Sequence, residues 1–103
     1  MSKYMIHGNY VGEGIKGLLK EGGSSRRSTI ETLIKGMGGT MEAFYYTFGD
    51  DDVFVIFEAP DNVSVAAISL VVNASGLVSA KTTVLLTPEE IDEATKKTVA
   101  YRP

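Results

Sequence analysis

One histidine, a pair of tyrosines, a lysine inside a strand and a run of three aspartates are the residues of this chain best suited to chemistry. His7 is the single histidine. An imidazole titrates near neutral pH, so it can serve as acid, base or ligand anchor. In Met5-Ile6-His7-Gly8-Asn9, strand alternation puts Met5, His7 and Asn9 on one face. The same pattern also suits a structural histidine hydrogen-bonded across a sheet. Tyr45 and Tyr46 are neighbours in a strand, so only one of them shares a face with His7 while the other packs under helices. A phenol beside His7 can donate a proton or hold a carbonyl oxygen. Lys81, with Thr83 and Leu85 on its face, either pairs with an anionic ligand or guards a sheet edge against aggregation. The expected site takes His7 and Tyr46 as catalytic groups, with Met5, Asn9, Tyr45 and Lys81 as ligand contacts.

Other chemistries are disfavoured by residue type or spacing. Gly49-Asp50-Asp51-Asp52 reads as a hairpin turn, because glycine and aspartate accept the dihedrals and satisfy the backbone locally. Calcium needs six or more oxygens and no second acidic group stands at EF-hand spacing, so no metal is expected. Arg26 and Arg27 follow Gly22-Gly23-Ser24-Ser25, a loop with donors for an anion. It lacks the Gly-Lys-Ser/Thr ending of a phosphate loop and follows a helix, which makes a solvated helical face the expectation. Ser75 and Ser79 lie in no Gly-x-Ser-x-Gly motif. The chain has no cysteine, which removes thiolate nucleophiles, disulfides and cysteine zinc sites together.

A net charge of −3, from 13 acidic and 10 basic residues without a basic cluster, argues against a nucleic-acid partner. The N-terminal Met1-Ser2-Lys3-Tyr4 has no apolar signal core. The apolar stretch around Ser64–Ala74 is interrupted by Ser69 and Asn73 and is too short for a bilayer. A cytoplasmic protein without membrane contact is the expectation.

The elements that must position these residues follow from periodicity. Lys3 to Tyr10 alternates as a strand. Ile15, Leu18 and Leu19, then Ile30, Leu33, Ile34 and Met37, recur at helical spacing. Gly22 and Gly23 divide the two sets, since each glycine costs a helix about 1 kcal/mol relative to alanine. Two helices are expected, the second from about Ser24 with Ser24, Ser25 or Ser28 as its N-cap, Ser28 having Glu31 at capping-box spacing. Thr40 to Phe48 and Val53 to Ala59 form a hairpin. Pro60-Asp61-Asn62 then starts a helix that ends near Asn73 to Gly76. Val78 to Thr87 is the last strand. Thr87-Pro88-Glu89-Glu90 opens a final helix running to about Thr98, with Lys96 and Lys97 at its end.

The order β-α-β-β-α-β is that of a ferredoxin-like α+β sandwich, a single domain over residues 1–103 with an extra C-terminal helix. Right-handed crossovers place both main helices on one face of the sheet. The other face, with Met5, one tyrosine and alternate residues of Val53 to Phe57 and Ser79 to Leu85, is too apolar to meet water alone. Two sheets packed face to face as a homodimer would cover it and enclose a cavity.

Several motifs resemble the GYD-domain proteins of bacteria over nearly the whole chain. They are Tyr4-Met5-Ile6-His7-Gly8-Asn9-Tyr10, Gly14-Ile15-Lys16-Gly17-Leu18, Gly39 with the tyrosine-rich strand, Pro60-Asp61-Asn62, Asn73-Ala74-Ser75-Gly76 and Thr82 through Glu90. The eponymous turn reads Gly49-Asp50-Asp51-Asp52, with Asp51 where that family's tyrosine would stand. The resemblance implies a dimeric α/β barrel, a group that includes small monooxygenases, isomerases and stress-response barrels. No cofactor is expected. The function expected is a small-molecule-binding homodimer, with or without cofactorless catalysis on a small, partly apolar compound. The alternative is a structural or stress-related homo-oligomer whose sheet face serves assembly only.

Overall fold

The computed structural model describes residues 1–103. In chain order the elements are β1 (Ser2–Tyr10), α1 (Glu13–Glu21), α2 (Gly23–Gly36), β2 (Thr40–Tyr46), β3 (Val53–Ala59), α3 (Asn62–Ala74), β4 (Val78–Leu85) and α4 (Pro88–Thr95). The four strands form one antiparallel sheet in the order β2-β3-β1-β4, so β1 lies inside, between β3 and β4. This is the ferredoxin-like arrangement, with α4 added after the last strand.

Alternation along the strands divides the sheet into two faces. Tyr4, Val53, Val55, Phe57 and Ala59 are buried beneath the helices with Ile34 of α2 and Val65 of α3. Met5, His7 and Asn9 of β1 point the other way, as do their cross-strand neighbours Phe54, Ile56, Lys81 and Thr83. A bulge between Met41 and Ala43 lets β2 keep both faces in step. Met41, Phe44 and Tyr46 pack against the core, leaving Ala43 and Tyr45 on the open side.

The break between α1 and α2 is a single residue, Gly22, at φ 86°. Only glycine adopts that conformation without strain. The expected capping box of Ser28 and Glu31 does not form, because α2 starts at Gly23 and Ser28 sits inside it. Three elements end earlier than their composition suggests: β2 at Tyr46, β4 at Leu85 and α4 at Thr95. By contrast, Thr87 and Glu90 make the full reciprocal cap of α4, and the Asp61 carboxylate caps α3 through the Ser64 amide at 2.7 Å. That hydrogen bond holds Asp61 below the usual carboxylate range.

Glycine also sets the junction of β1, α1 and β4. A Cβ at Gly8 would lie 2.2 Å from the Ser79 carbonyl oxygen, and one at Gly14 would lie 2.0 Å from that of Leu77. Asn73 finishes this corner by pairing its side-chain amide with the backbone of Ala80, donating to its oxygen at 3.2 Å and accepting from its nitrogen at 2.9 Å. One position of the exposed β4 edge is thus covered by this side chain.

Every residue from Pro88 to Pro103 is exposed, and the chain extends 53 Å along its long axis. The radius of gyration of 16.0 Å exceeds the roughly 13 Å of a compact chain this long, which reflects that arm.

Candidate functional site

His7 lies near the middle of the open sheet face, in the interior strand, with Phe54 opposite on β3 and Lys81 opposite on β4. Its ring stacks on Phe54 with centroids 5.8 Å apart and planes 13° from parallel. Nδ1 is 3.2 Å from Oδ2 of Asp51. An ionised carboxylate only accepts, so in this contact Nδ1 is the donor and Nε2 is the ring nitrogen turned away from Asp51. Nε2 in turn lies 3.5 Å from the Thr83 hydroxyl. The His7 and Asp51 side chains are 21% and 26% exposed, sheltered but open to a ligand.

Asp51 reaches His7 because the β2–β3 loop folds back over the end of β1. The Asp52 amide donates to the Gly8 carbonyl at 2.8 Å, and the Asp52 carboxylate accepts from the Tyr10 amide at 3.0 Å. The Thr47 amide donates to the Asp52 carbonyl at 2.8 Å, and the Thr47 hydroxyl donates to the Asp51 carbonyl. The aspartate run is thus a turn, as its composition implies. Asp51 in addition carries a carboxylate to the histidine, and Asp52 ties the loop to β1.

The sheet sorts the six residues expected in the site. Met5, His7, Asn9, Tyr45 and Lys81 all share the open face. Tyr46 does not. It lies on the helix side, where its hydroxyl donates to the Gly23 carbonyl at 3.0 Å and its ring packs edge-on to Phe44. Burial, then the neighbouring Tyr10, pushes its phenol up to about 12. The expectation that Tyr46 works with His7 is therefore corrected: the sheet separates them, and Tyr45 is the tyrosine on His7's side. The cause is β2's pairing, which puts Tyr46 opposite buried Val53 and Tyr45 opposite Phe54.

Arg26 and Arg27 do not join the site. Arg26 sits 3.7 Å from Glu21, on the helix side. The Ser75 hydroxyl donates to the Val72 carbonyl at 2.7 Å and accepts from the Leu77 amide, which is local turn chemistry. Ser79 stands exposed opposite Asn9. Tyr101 and Arg102 lie in the exposed arm. Three partners of His7 escape a reading by periodicity alone: Asp51, Phe54 and Thr83. Asp51 is concealed because a turn already accounts for it. Phe54 and Thr83 take their places by register, which alternation does not specify.

A cleft of about 260 Å³ lies on the far side of the sheet, between α2 and α3. Its walls are mostly apolar, including Ile30, Leu33 and Val71, and it brings together no acid–base pair. The His7–Asp51 pair and this cleft thus lie on opposite sides of the sheet. No helix is long and apolar enough to cross a membrane.

A family model described as GYD domain matches residues 4–95, and no curated protein matches the chain. That span covers most of the sequence, so the chain belongs to the GYD-domain family.

Proposed function

We propose that this member of the GYD-domain family is a small-molecule-binding homodimer. Two open sheet faces would meet and enclose a ligand beside His7. The observation that supports this most directly is His7 itself, braced by Asp51 and Phe54 with Nε2 turned away from the carboxylate. Beside the apolar side chains of Met5, Phe54 and Ile56, a few oriented polar groups are what a partly apolar ligand needs for binding in a defined pose. Nε2 would accept a proton or hydrogen bond from the ligand, Asn9 and Tyr45 would orient its polar groups, and Met5, Phe54 and Ile56 would supply walls. A weakly acidic C–H or O–H group on the ligand would make His7 a general base, with Asp51 as the residue that holds its tautomer. No cofactor is required for that step.

A second reading has an observation of its own. His7 already has a carboxylate, a ring and a hydroxyl around it, so it also fits a purely structural role in an assembly interface. Native mass spectrometry of the purified full chain, with light scattering, separates the two. The proposal expects a dimer that retains a reproducible small molecule, with occupancy falling about tenfold in His7→Gln, the loss of one good hydrogen bond. A dimer that carries nothing and is indifferent to His7→Gln would transfer the reading to assembly alone. A monomer at micromolar concentration would sink both.

A further inference from the structure

The least accountable surface of the protomer is not at His7. Helix α3, Asn-Val-Ser-Val-Ala-Ala-Ile-Ser-Leu-Val-Val-Asn-Ala, has no charged residue in its 13 positions. Helices apolar on all sides are normally enclosed on all sides. This one buries only Val65 and Ile68. Its outer face leaves Val63 80%, Leu70 72% and Val71 68% exposed, with Ala66, Ala67 and Ala74 exposed among them.

The residue types on that face match themselves in reverse. Val63, Ala67, Leu70 and Ala74 follow one another at steps of four, three and four, the spacing of a helix–helix seam. When a second α3 is laid antiparallel about a two-fold axis near Ile68 and Ser69, each large residue meets a small one. Val63 faces Ala74 of the copy, and Ala67 faces Leu70. Such large-to-small layering lets two helices interdigitate at close range. A two-fold contact demands a surface complementary to itself, which an arbitrary partner would not require. A lipid surface is a poorer match, because helices that lie on membranes carry lysine or arginine along their flanks and α3 has none.

We infer that the outer face of α3 is a seam for α3 of a second copy of this chain, packed antiparallel. The helix spans only about 20 Å. It buries less than the roughly 800 Å² per partner of a free-standing stable complex. The seam therefore joins copies already held elsewhere, and in this respect the inference rests on the pairing across the open face. Because α3 lies on the other side of the sheet, the two contacts are compatible, and together they join dimers into assemblies larger than a dimer.

Light scattering and native mass spectrometry on the full chain test this. The wild type is expected as an assembly larger than a dimer and Ala67→Lys, a change at an exposed helical position, as a dimer with unchanged circular dichroism. Since the chain has no cysteine, the double variant Val63→Cys/Ala74→Cys offers a second readout. Mild oxidation should give covalent pairs resistant to denaturation, and adding Ala67→Lys should reduce their yield at least about tenfold. A wild type no larger than a dimer, with no cross-linking, overturns the seam and leaves the open-face pairing standing. A wild-type dimer that cross-links and turns monomeric with Ala67→Lys keeps the seam and overturns the open-face pairing. Co-sedimentation with phosphatidylglycerol vesicles, abolished by Ala67→Lys and without cross-linking, would assign the face to lipid and overturn the inference.

Discussion

The two faces of the sheet are built from the same strands in strict alternation, yet they do different things. Under the helices, Tyr4, Val55, Phe57 and Ala59 are at most 3% exposed, and the Tyr4 hydroxyl donates to Asn62 at 2.5 Å. On the open side, Met5, His7, Phe54 and Ile56 are half-buried, and the polar residues among them are organised around an imidazole. One face is a core, where each group is enclosed and satisfied. The other is a surface too apolar to suit water and too polar to be only a core. Placing function on the second face amounts to a claim that neighbouring residues of one strand differ in what they control. Three adjacent pairs allow that difference to be measured.

The largest contrast is on β3. Phe57 is 0% exposed and stacks on Tyr4 with centroids 5.6 Å apart, whereas its neighbour Ile56 faces outward. Phe57→Ala should cost about 3–5 kcal/mol, transfer and cavity terms together. Ile56→Ala should cost about 1 kcal/mol in the isolated protomer, since only part of the side chain leaves water. Urea unfolding at low protein concentration measures both. Repeating it at high concentration sharpens the comparison: the cost of Ile56→Ala should grow if copies pair through this face, while that of Phe57→Ala should not. Equal costs at every concentration would erase the distinction between core and interface.

Much of this division is legible in the sequence. The alternation of β1 places His7 beside Met5 and Asn9. Gly22 separates two helical periods, and Thr87-Pro88-Glu89-Glu90 marks a helix start that the structure completes as a reciprocal cap. What escapes reading depends on register and on side chains that already have an explanation. Two adjacent tyrosines must face opposite ways, but only the pairing of β2 with β3, shifted by the bulge at Met41 and Ala43, decides which. Asp51 satisfies the composition of a turn, so nothing in its neighbours announces a contact 44 positions away in sequence. Ser28 and Glu31 have capping-box spacing but lie within α2, because Gly22 at positive φ starts the helix earlier. Local signals of equal strength compete, and the chain's long-range pairing selects among them.

The tyrosines give the second contrast. Tyr46→Phe removes the hydroxyl that donates to the Gly23 carbonyl, at a cost of about 0.5–1.5 kcal/mol for one hydrogen bond. Tyr45, 69% exposed, should lose its hydroxyl without measurable change in stability. The pH dependence carries the same signature. The Tyr46 phenol is raised from 10.0 to about 12, so the folded state holds its proton where the unfolded state releases it. Its contribution to stability is complete below pH 10 and lost as pH climbs toward 12. The wild type should therefore destabilise more than Tyr46→Phe across that window, with Tyr45→Phe following the wild type. Parallel curves for all three proteins would mean that Tyr46 is not enclosed.

The smallest expected effect lies on β4, between two threonines. Thr82 faces the helices, and its hydroxyl is buried without a hydrogen-bond partner. Thr83 faces outward, where its hydroxyl lies 3.5 Å from His7 Nε2. A buried hydroxyl left unpaired is a standing cost, and valine keeps the shape while removing the polar atom. Thr82→Val should thus raise stability by about 0.5–1 kcal/mol, read from the thermal midpoint at neutral pH. Thr83→Val should leave the midpoint unchanged, since no buried group gains or loses a partner. Its effect should appear in the His7 imidazole resonances, because the neighbour of Nε2 has been replaced by a methyl group. If Thr82→Val destabilises, the hydroxyl has a partner after all and the helix side of β4 is wetter than its packing implies. If Thr83→Val leaves the imidazole resonances unmoved, Nε2 is free toward the open face and any partner it meets there must come from outside the chain.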